Sequence, residues 1–539
     1  MSLTLSSGQG RRALSASVVA SGMAFLDGTI VTVAAPHITE DLGGGFSGMQ
    51  WVLDGYLLTL GALVLVGGSL GDLLGKRRVF VFGIVGFAVA SAACGLAPSM
   101  VALVAARMLQ GACAALMVPT SLALLNSEFA GDDRGRAIGA WSGLSGIFTA
   151  LGPFVGGALV DAFPIGWRLA FLINLPLAAL AVWLARAVPA TPGTRTDAGL
   201  LRQLDLVGAG LATIGLGLVV GPLIEINRLG GRAWLLVGIG VLLLVVFVVV
   251  ERRAAAPMLP LSIFNIRTFT VANLVTFVVY GALSVSTFLL TVYLQIQMGY
   301  SALAAGAAGL PITILLALGS ARVGALVSRF GPRWFLVAGP VIMAVGLAWL
   351  STLGAGDSYQ GKVLPALVIF AVGLVLVVAP VTTAALLDVG PDLSGTASGV
   401  NNAVARVAGL IAIAVLPALA GVGVGGAGRG LGGRQGQHLL FQGAYLVAGV
   451  GEAIHQGQLL TLVAGTLALD QLIELADQVL LPFQLHLQLV VLHLQLLEAL
   501  AFLHGGGVEV VGRVGAERFR LRFGTGLLGV GTTRGRFGT

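Results

Sequence analysis

Long apolar runs without a single charge set the terms for this chain. Leu235–Val250 and Val363–Ala385 contain no charged residue. Such runs approach or match the roughly 17–25 residues with which a helix crosses a hydrocarbon core. Comparable runs recur near 13–36, 50–71, 79–97, 101–124, 137–160, 169–187, 204–224, 233–250, 269–296, 303–328, 334–353, 363–387 and 396–421. A very apolar soluble protein is excluded by composition as well as by run length. Charged residues make up 10% of the 539, against about 25% in soluble domains, too few to cover a globule of this size. The chain is therefore predicted to be an all-α polytopic membrane protein surrounded by membrane lipid.

Loop charge orients it. Arg11, Arg12, Lys76, Arg77, Arg78, Arg134, Arg136, Arg195, Arg202, Arg252, Arg253, Arg267, Arg329 and Arg333 fall on one side of the predicted spans. Arg168, Arg228, Arg232 and Lys362 fall on the other. Short basic loops stay in the cytoplasm, so the N-terminus is expected there, in the cytoplasmic membrane. The pair Arg11-Arg12 before an apolar run imitates a secretion signal, but the run is too long for one and many spans follow. Both cysteines, Cys94 and Cys113, lie inside spans and are read as free thiols. The net charge of +7 is largely this loop charge, and no nucleic-acid partner is inferred from it.

An internal repeat follows the second and tenth spans. Gly68-Ser-Leu70-Gly-Asp72-Leu-Leu-Gly75-Lys-Arg77-Arg78 and Gly324-Ala-Leu326-Val-Ser328-Arg329-Phe-Gly331-Pro-Arg333 share the pattern G-x-L-x-[DS]-x-x-G-x-R. Two parallel halves of the kind found in transporters account for it. The expected division is a six-helix bundle over 13–187, a linker with two extra spans over 188–250, an incomplete second bundle over 251–424 and an aberrant tail over 425–539.

Several motifs stand in order. The first span reads Leu26-Asp27-Gly-Thr29-Ile30-Val31-Thr-Val33-Ala-Ala-Pro36, and the second opens Trp51-Val52-Leu53-Asp54-Gly-Tyr56-Leu57. The fourth has Leu103, Arg107 and Gln110-Gly111, followed by Arg134-Gly135-Arg136-Ala137. The fifth carries Gly152-Pro153-Phe-Val-Gly156-Gly157, and the sixth begins Trp167-Arg168 with Phe171, Ile173-Asn174 and Pro176. Together they resemble the major facilitator superfamily, specifically its drug:proton antiporters with fourteen spanning helices. The resemblance covers roughly residues 13–421. It implies two six-helix bundles plus two central helices, and export of amphipathic drugs, antibiotics or secondary metabolites against protons by a monomer. Phe148 and Ser328 depart from the pattern; the latter implies that the second half lacks the carboxylate latch of the first.

The residues themselves point to roles. Gly68 and Asp72 share a helix face, so Gly68 admits a neighbouring helix whose N-terminus or arginine Asp72 can meet. Gly75, Arg77 and Arg78 belong to the same gating loop, although Lys76, Arg77 and Arg78 also serve as ordinary cytoplasmic loop charges. Gly152 and Gly156 form a small-residue face interrupted by Pro153, with Gly157 beside it; plain helix packing explains the glycines. The resemblance adds a bend that sets how the first and fifth helices seal.

Charges inside a span are costly and are functional by default, which singles out Asp27, Asp54, Arg107 and Arg406. A carboxyl group shielded from water holds a proton more tightly, and a nearby arginine opposes this. Asp54, expected about one turn inside the outer end of its span, is the better proton or cation site. Asp27 is either a second such site or a structural partner for Arg107 or for the backbone of helix eleven. Gln110, Asn401, Asn402 and Arg406 are candidate walls of a polar cavity. No cofactor or metal is expected.

After about Val424 the sequence changes character. His438, His455, His486, His493 and His504 fall here, and Leu485–Leu489 and Leu492–Leu496 alternate with period two, unlike a helix facing lipid. A replaced reading frame explains such a tail, and His438–Asp470 is the sole candidate for a fourteenth span. An inactive or altered transporter, or one for another small molecule, is the alternative. Two other readings fail. Asp132-Asp133 is ordinary loop charge and not half of a metal site. Gly71-x3-Gly75-Lys76-Arg77 is one residue short of a phosphate loop and lacks its Ser/Thr.

Overall fold

Lipid offers backbone groups no hydrogen-bond partners, so each apolar run closes its own bonds as a helix. The computed structural model describes residues 3–189, 205–254, 257–354, 356–386, 388–390 and 393–419. Among these residues thirteen helices are long and apolar enough to cross a membrane, and the one departure from helix and loop is an isolated bridge between Leu3 and Phe129. The first six crossings are α1 (Gly8–Leu42), α2 (Gly45–Leu74), α3 (Lys76–Gly95), α4 (Met100–Glu128), α5 (Gly131–Ala162) and α6 (Gly166–Ala185). Two central helices follow, α7 (Leu206–Ile224) and α8 (Arg232–Arg253). The last five are α9 (Arg267–Ile296), α10 (Ala302–Ala308 with Leu310–Phe330), α11 (Arg333–Leu350), α12 (Tyr359–Leu386) and α13 (Gly395–Leu419). The linker is mostly outside the described residues, as are the whole 425–539 tail and its candidate fourteenth span.

Several helices outrun the predicted spans because polar turns continue them past the apolar stretch. α1 has 35 residues, about 52 Å at 1.5 Å per residue. Two helices break where a proline removes a donor. Pro176 lies just after the interruption of α6 at Ile173, and Pro311 just after that of α10 at Gly309.

Packing follows the glycines. α2 and α4 form the closest pair, because each presents a glycine to the other's backbone. A Cβ on Gly67 would collide with the Ala115 carbonyl, and one on Gly111 with the Tyr56 carbonyl and the Thr59 hydroxyl. Without a hydrophobic force between helices in lipid, such close approach supplies the attraction. α7 and α8 pack chiefly on each other, with α7 also touching α2 and α13.

The seam between α5 and α10 is uneven. Positions 139, 143, 146, 153 and 157 of α5 lie along one face by helical periodicity. At one end a Cβ on Gly157 would press on the backbone of Ala302 and Leu303, and Gly306 lies against the Pro153 carbonyl. At the other end Gly139, Gly143 and Gly146 have nothing within 4 Å of a Cβ. The helices therefore touch far from the basic loops and part toward them. Between α2 and α13 contact runs further, with Gly61 against Val407 and a Cβ on Gly399 falling 3.3 Å from Leu65, and only Gly395 meets nothing.

These contacts set a contrast in tolerance. Gly111→Val should cost about 1–3 kcal/mol or more through overpacking, whereas Gly139→Ala should leave stability unchanged or slightly raised. Thermal unfolding of the purified variants in one detergent measures this; equal midpoints would contradict the packing described.

Candidate functional site

The strongest polar assembly lies wholly within the first six helices. Asp27 of α1, Ser91 of α3, Arg107 and Gln110 of α4, and Asn174 of α6 are all completely buried. The Arg107 guanidinium donates to the Asp27 carboxylate through Nη1. Its Nε donates to the Val52 carbonyl of α2 at 2.9 Å, and Nη1 also to Gln110 Oε1 at 2.7 Å. The other Asp27 oxygen accepts from Gln110 Nε2 and Asn174 Nδ2, each at 2.9 Å. The Ser91 hydroxyl accepts from both amides and donates to the Phe171 carbonyl. Arg107 also lies over the Tyr56 ring, 4.3 Å from its centroid, while the Tyr56 hydroxyl donates to the Ala24 carbonyl. Of the partners expected for Asp27, Arg107 is the one found, since no bond to the eleventh helix exists among the described residues.

Asp54 stands in contrast. It too is completely buried, yet neither carboxyl oxygen has a hydrogen-bond partner among the described residues. It lies nine residues into α2, deeper than the single turn expected, because the helix begins at Gly45. Its neighbours on the same helical face identify what it looks toward. Gln50 donates to the Ile413 carbonyl of α13 at 2.6 Å. Leu57 approaches Gly409, and Gly61 lies against Arg406 and Val407. Asp54 sits between Gln50 and Leu57 on that stripe, so it belongs to the junction of α2 with α13.

The remaining candidates fall into place around these two groups. Gly152 and Gly156 pack α5 on Thr29 and Ile30 of α1, while Gly157 and Pro153 meet α10. Phe148, the departure from the pattern, covers Gly22. Gly68 has only the Pro119 ring edge, at 4.0 Å. The Asp72 side chain is 65% exposed with the Lys76 ammonium 3.8 Å away. Gly75 ends α2 with φ of 95°, a conformation suited to glycine. Arg77 donates to the Arg186 carbonyl, and Arg78 is exposed beside it. Asn401 joins α13 to α9 by donating to Asn273 Oδ1 and Thr276 Oγ1. Asn402 is half-buried, and Arg406 lies 5.1 Å from the Phe25 ring centroid. Both cysteines are free. No group of three or more metal-ligating side chains occurs among the described residues.

Several polar residues were not singled out as site candidates from sequence. Ser91 carries no motif signal, and Asn174 stands out only within the pattern that opens the sixth span. Asp161, at the end of α5, accepts from the Ala302 and Leu303 amides that open α10. Gln295 of α9 donates to the Val33 carbonyl of α1. Glu251, buried at the end of α8, accepts from the Leu259 amide. Apart from Leu259, whose amide meets Glu251 eight residues away, the partners lie far away in sequence, which a linear reading does not pair.

The family model of the Major Facilitator Superfamily matches residues 18–413. A probable actinorhodin transporter of Streptomyces coelicolor is 37% identical over 409 residues, spanning 74% of this chain and 70% of that protein. The tetracenomycin C resistance and export protein of Streptomyces glaucescens is 35% identical over 408 residues, 75% of this chain and 74% of that one. Among solved structures, a POT family transporter in complex with a thioalcohol-conjugated peptide aligns with a TM-score of 0.62 at 12% identity. That alignment covers 82% of this chain and 95% of the transporter. A point mutant of the nucleoside transporter NupG aligns with a TM-score of 0.57 at 11% identity, over 83% and 99% of the two chains.

The two aspartates should differ when replaced. Asp27→Ala leaves a buried guanidinium without its counter-charge, a loss of about 3–5 kcal/mol. Asp54→Asn breaks no hydrogen bond and should change stability little. Unfolding of both purified variants in the same detergent tests the contrast, and a comparable loss for Asp54→Asn would overturn it.

Proposed function

The chain belongs to the major facilitator superfamily, and on that premise we propose that it exports amphipathic drugs, antibiotics or secondary metabolites from the cytoplasm in exchange for protons. Membership of a transporter family makes it a carrier and not an enzyme. The resistance and export relatives support the substrate class. A single observation carries the proton half of the proposal: Asp54 is a buried carboxyl group, without a hydrogen-bond partner among the described residues, on the helix face at the junction between the two halves. A charged carboxylate there would have neither water nor a donor, a cost that a bound proton relieves.

The excess of arginine on one side of the spans supports placing the N-terminus and the 76–78 and 134–136 loops in the cytoplasm. In that orientation α5 and α10 are sealed at the outer end and parted toward the cytoplasm, the arrangement of a carrier waiting for cytoplasmic substrate. Substrate enters between the halves, the halves rock, and the outer contacts of Gly157, Gly306 and Asp161 give way. Gly68, Asp72, Gly75, Arg77 and Arg78 then close the inner end. A proton loads Asp54 from outside and leaves to the cytoplasm on return. Exchange requires only that the halves cross with one load or the other. The Asp27–Arg107 assembly acts as a fixed strut. The division at 13–187, 188–250 and 251–424 serves this cycle as two rocking bodies with a central helix pair.

Efflux of amphipathic fluorescent dyes from cells expressing the full chain, with and without a protonophore, tests the proposal. Export should be lost with protonophore, and Asp54→Asn should lower it to background at equal membrane abundance. Export indifferent to protonophore removes proton exchange; export that survives Asp54→Asn removes this residue from coupling.

A further inference from the structure

Arg406 is a charge that the assembly around Asp27 does not use. It is half-buried in α13, where it is the one charged residue of the helix. Its guanidinium stacks toward Phe25 of α1, 5.1 Å from the ring centroid, across the junction of the halves. Its stem packs against Gly61 of α2, and its charge lies near enough to act on the phenols of Tyr56 and Tyr280. No hydrogen bond or ion pair engages it among the described residues, beyond that ring.

The charged groups on the helices that meet it offer no counter-ion. Asp27 is committed to Arg107, Gln110 and Asn174. Asp54 lies seven residues from Gly61 along α2, about 10 Å further from the basic end at 1.5 Å per residue. Asp72 of α2 lies beyond the opposite end of the contact, at the membrane boundary. α9 carries no charge after Arg267 at its start, and α7 carries none. An arginine kept at this depth without a carboxylate is costly, and costly intramembrane charges mark ligand paths.

Building on the export reading above, we propose that Arg406, with Phe25, forms the subsite for an anionic group on a planar aromatic substrate. A carboxylate or acidic phenolate would take the guanidinium's free donors in a charge-assisted bond. The substrate's ring would stack beside Phe25. The preferred cargo is thus an aromatic acid, not a lipophilic cation. Charge movement follows from this. A proton entering and an anion leaving carry charge in the same sense, so membrane potential alone drives the exchange. An equal exchange of one proton for a monovalent cation would be electroneutral and would not respond.

The test compares pyrenebutyrate with pyrenebutanol, its neutral counterpart of the same ring and chain, on the purified full chain. Wild-type protein should bind the acid about tenfold or more tightly than the alcohol, the discrimination of one bond to a charged group. Arg406→Gln should erase that preference, and Arg406→Lys should keep part of it. Thermal unfolding confirms that the variants are folded. No preference in the wild type, or one that survives Arg406→Gln, overturns the subsite. In proteoliposomes, potential-driven transport of pyrenebutyrate without a pH gradient supports it further. Protonophore-sensitive dye export with no Arg406-dependent preference would sink the subsite and leave the export reading standing. Arg406-dependent binding in a protein that exports nothing would do the reverse.

Discussion

Two opposite charges placed beyond the reach of water depend on each other more than any other pair in this molecule. Burying an ion pair is tolerable only when the remaining donors and acceptors are met as well. Around Asp27 and Arg107 that demand draws in five crossings: α1 through Asp27, α2 through the Val52 carbonyl, α3 through Ser91, α4 through Arg107 and Gln110, and α6 through Asn174, leaving Arg107 Nη2 and Asn174 Oδ1 without a hydrogen bond among the described residues. No one of these helices can slide or rotate without stranding a charge or an amide. The first half is therefore stiff at its centre, and any large movement in the carrier has to occur elsewhere.

Elsewhere the contacts are of another kind. Between α5 and α10 the contacts are small residues on backbone, plus the exposed Asp161 carboxylate on two amides. Water can replace each of those bonds when the helices part, so their net worth is modest. This difference in kind, and not merely in number, separates the part that holds its shape from the part that gives. Asp54 is placed on the giving side. It lies on the α2 face that meets α13, so in the proposed cycle its environment would change as that junction opens, whereas the surroundings of Asp27 need not.

The sequence made much of this legible, and the reason is the solvent. Lipid forces apolar runs into helices, so the thirteen crossings among the described residues are readable from run length, although polar turns extend ends such as those of α1 and the spans 169–187 and 334–353 overrun helices that stop at Ala185 and Leu350. Asp27, Arg107 and Gln110 stood out because a charge or amide inside an apolar run is conspicuous. Their convergence was not readable. Asn174 lies 147 residues from Asp27, and Ser91 looks like any small residue in a span. The depth of Asp54 was misjudged because the start of α2 is set by Gly43 and Gly44, whose positive φ ends one helix and admits the next. Asn401 was read as a cavity wall from its polarity, but three-dimensional packing turns it toward Asn273 and Thr276.

A helix break in the first half and a helix start in the second show one constraint serving opposite ends. Backbone groups left open at either place find no partner in lipid and must be met by protein or water. At Ile173 the second segment of α6 begins with Asn174, which points its amide into the rigid assembly. At the opening of α10 the first-turn amides of Ala302 and Leu303 turn to the Asp161 carboxylate of α5. The partners in the first case are fully buried, so the break locks. The Asp161 carboxylate in the second case is exposed, so that contact can be remade. The interruption of α6 thus fixes the half that carries the charge pair, and the start of α10 supplies the contact that would give way in the proposed cycle.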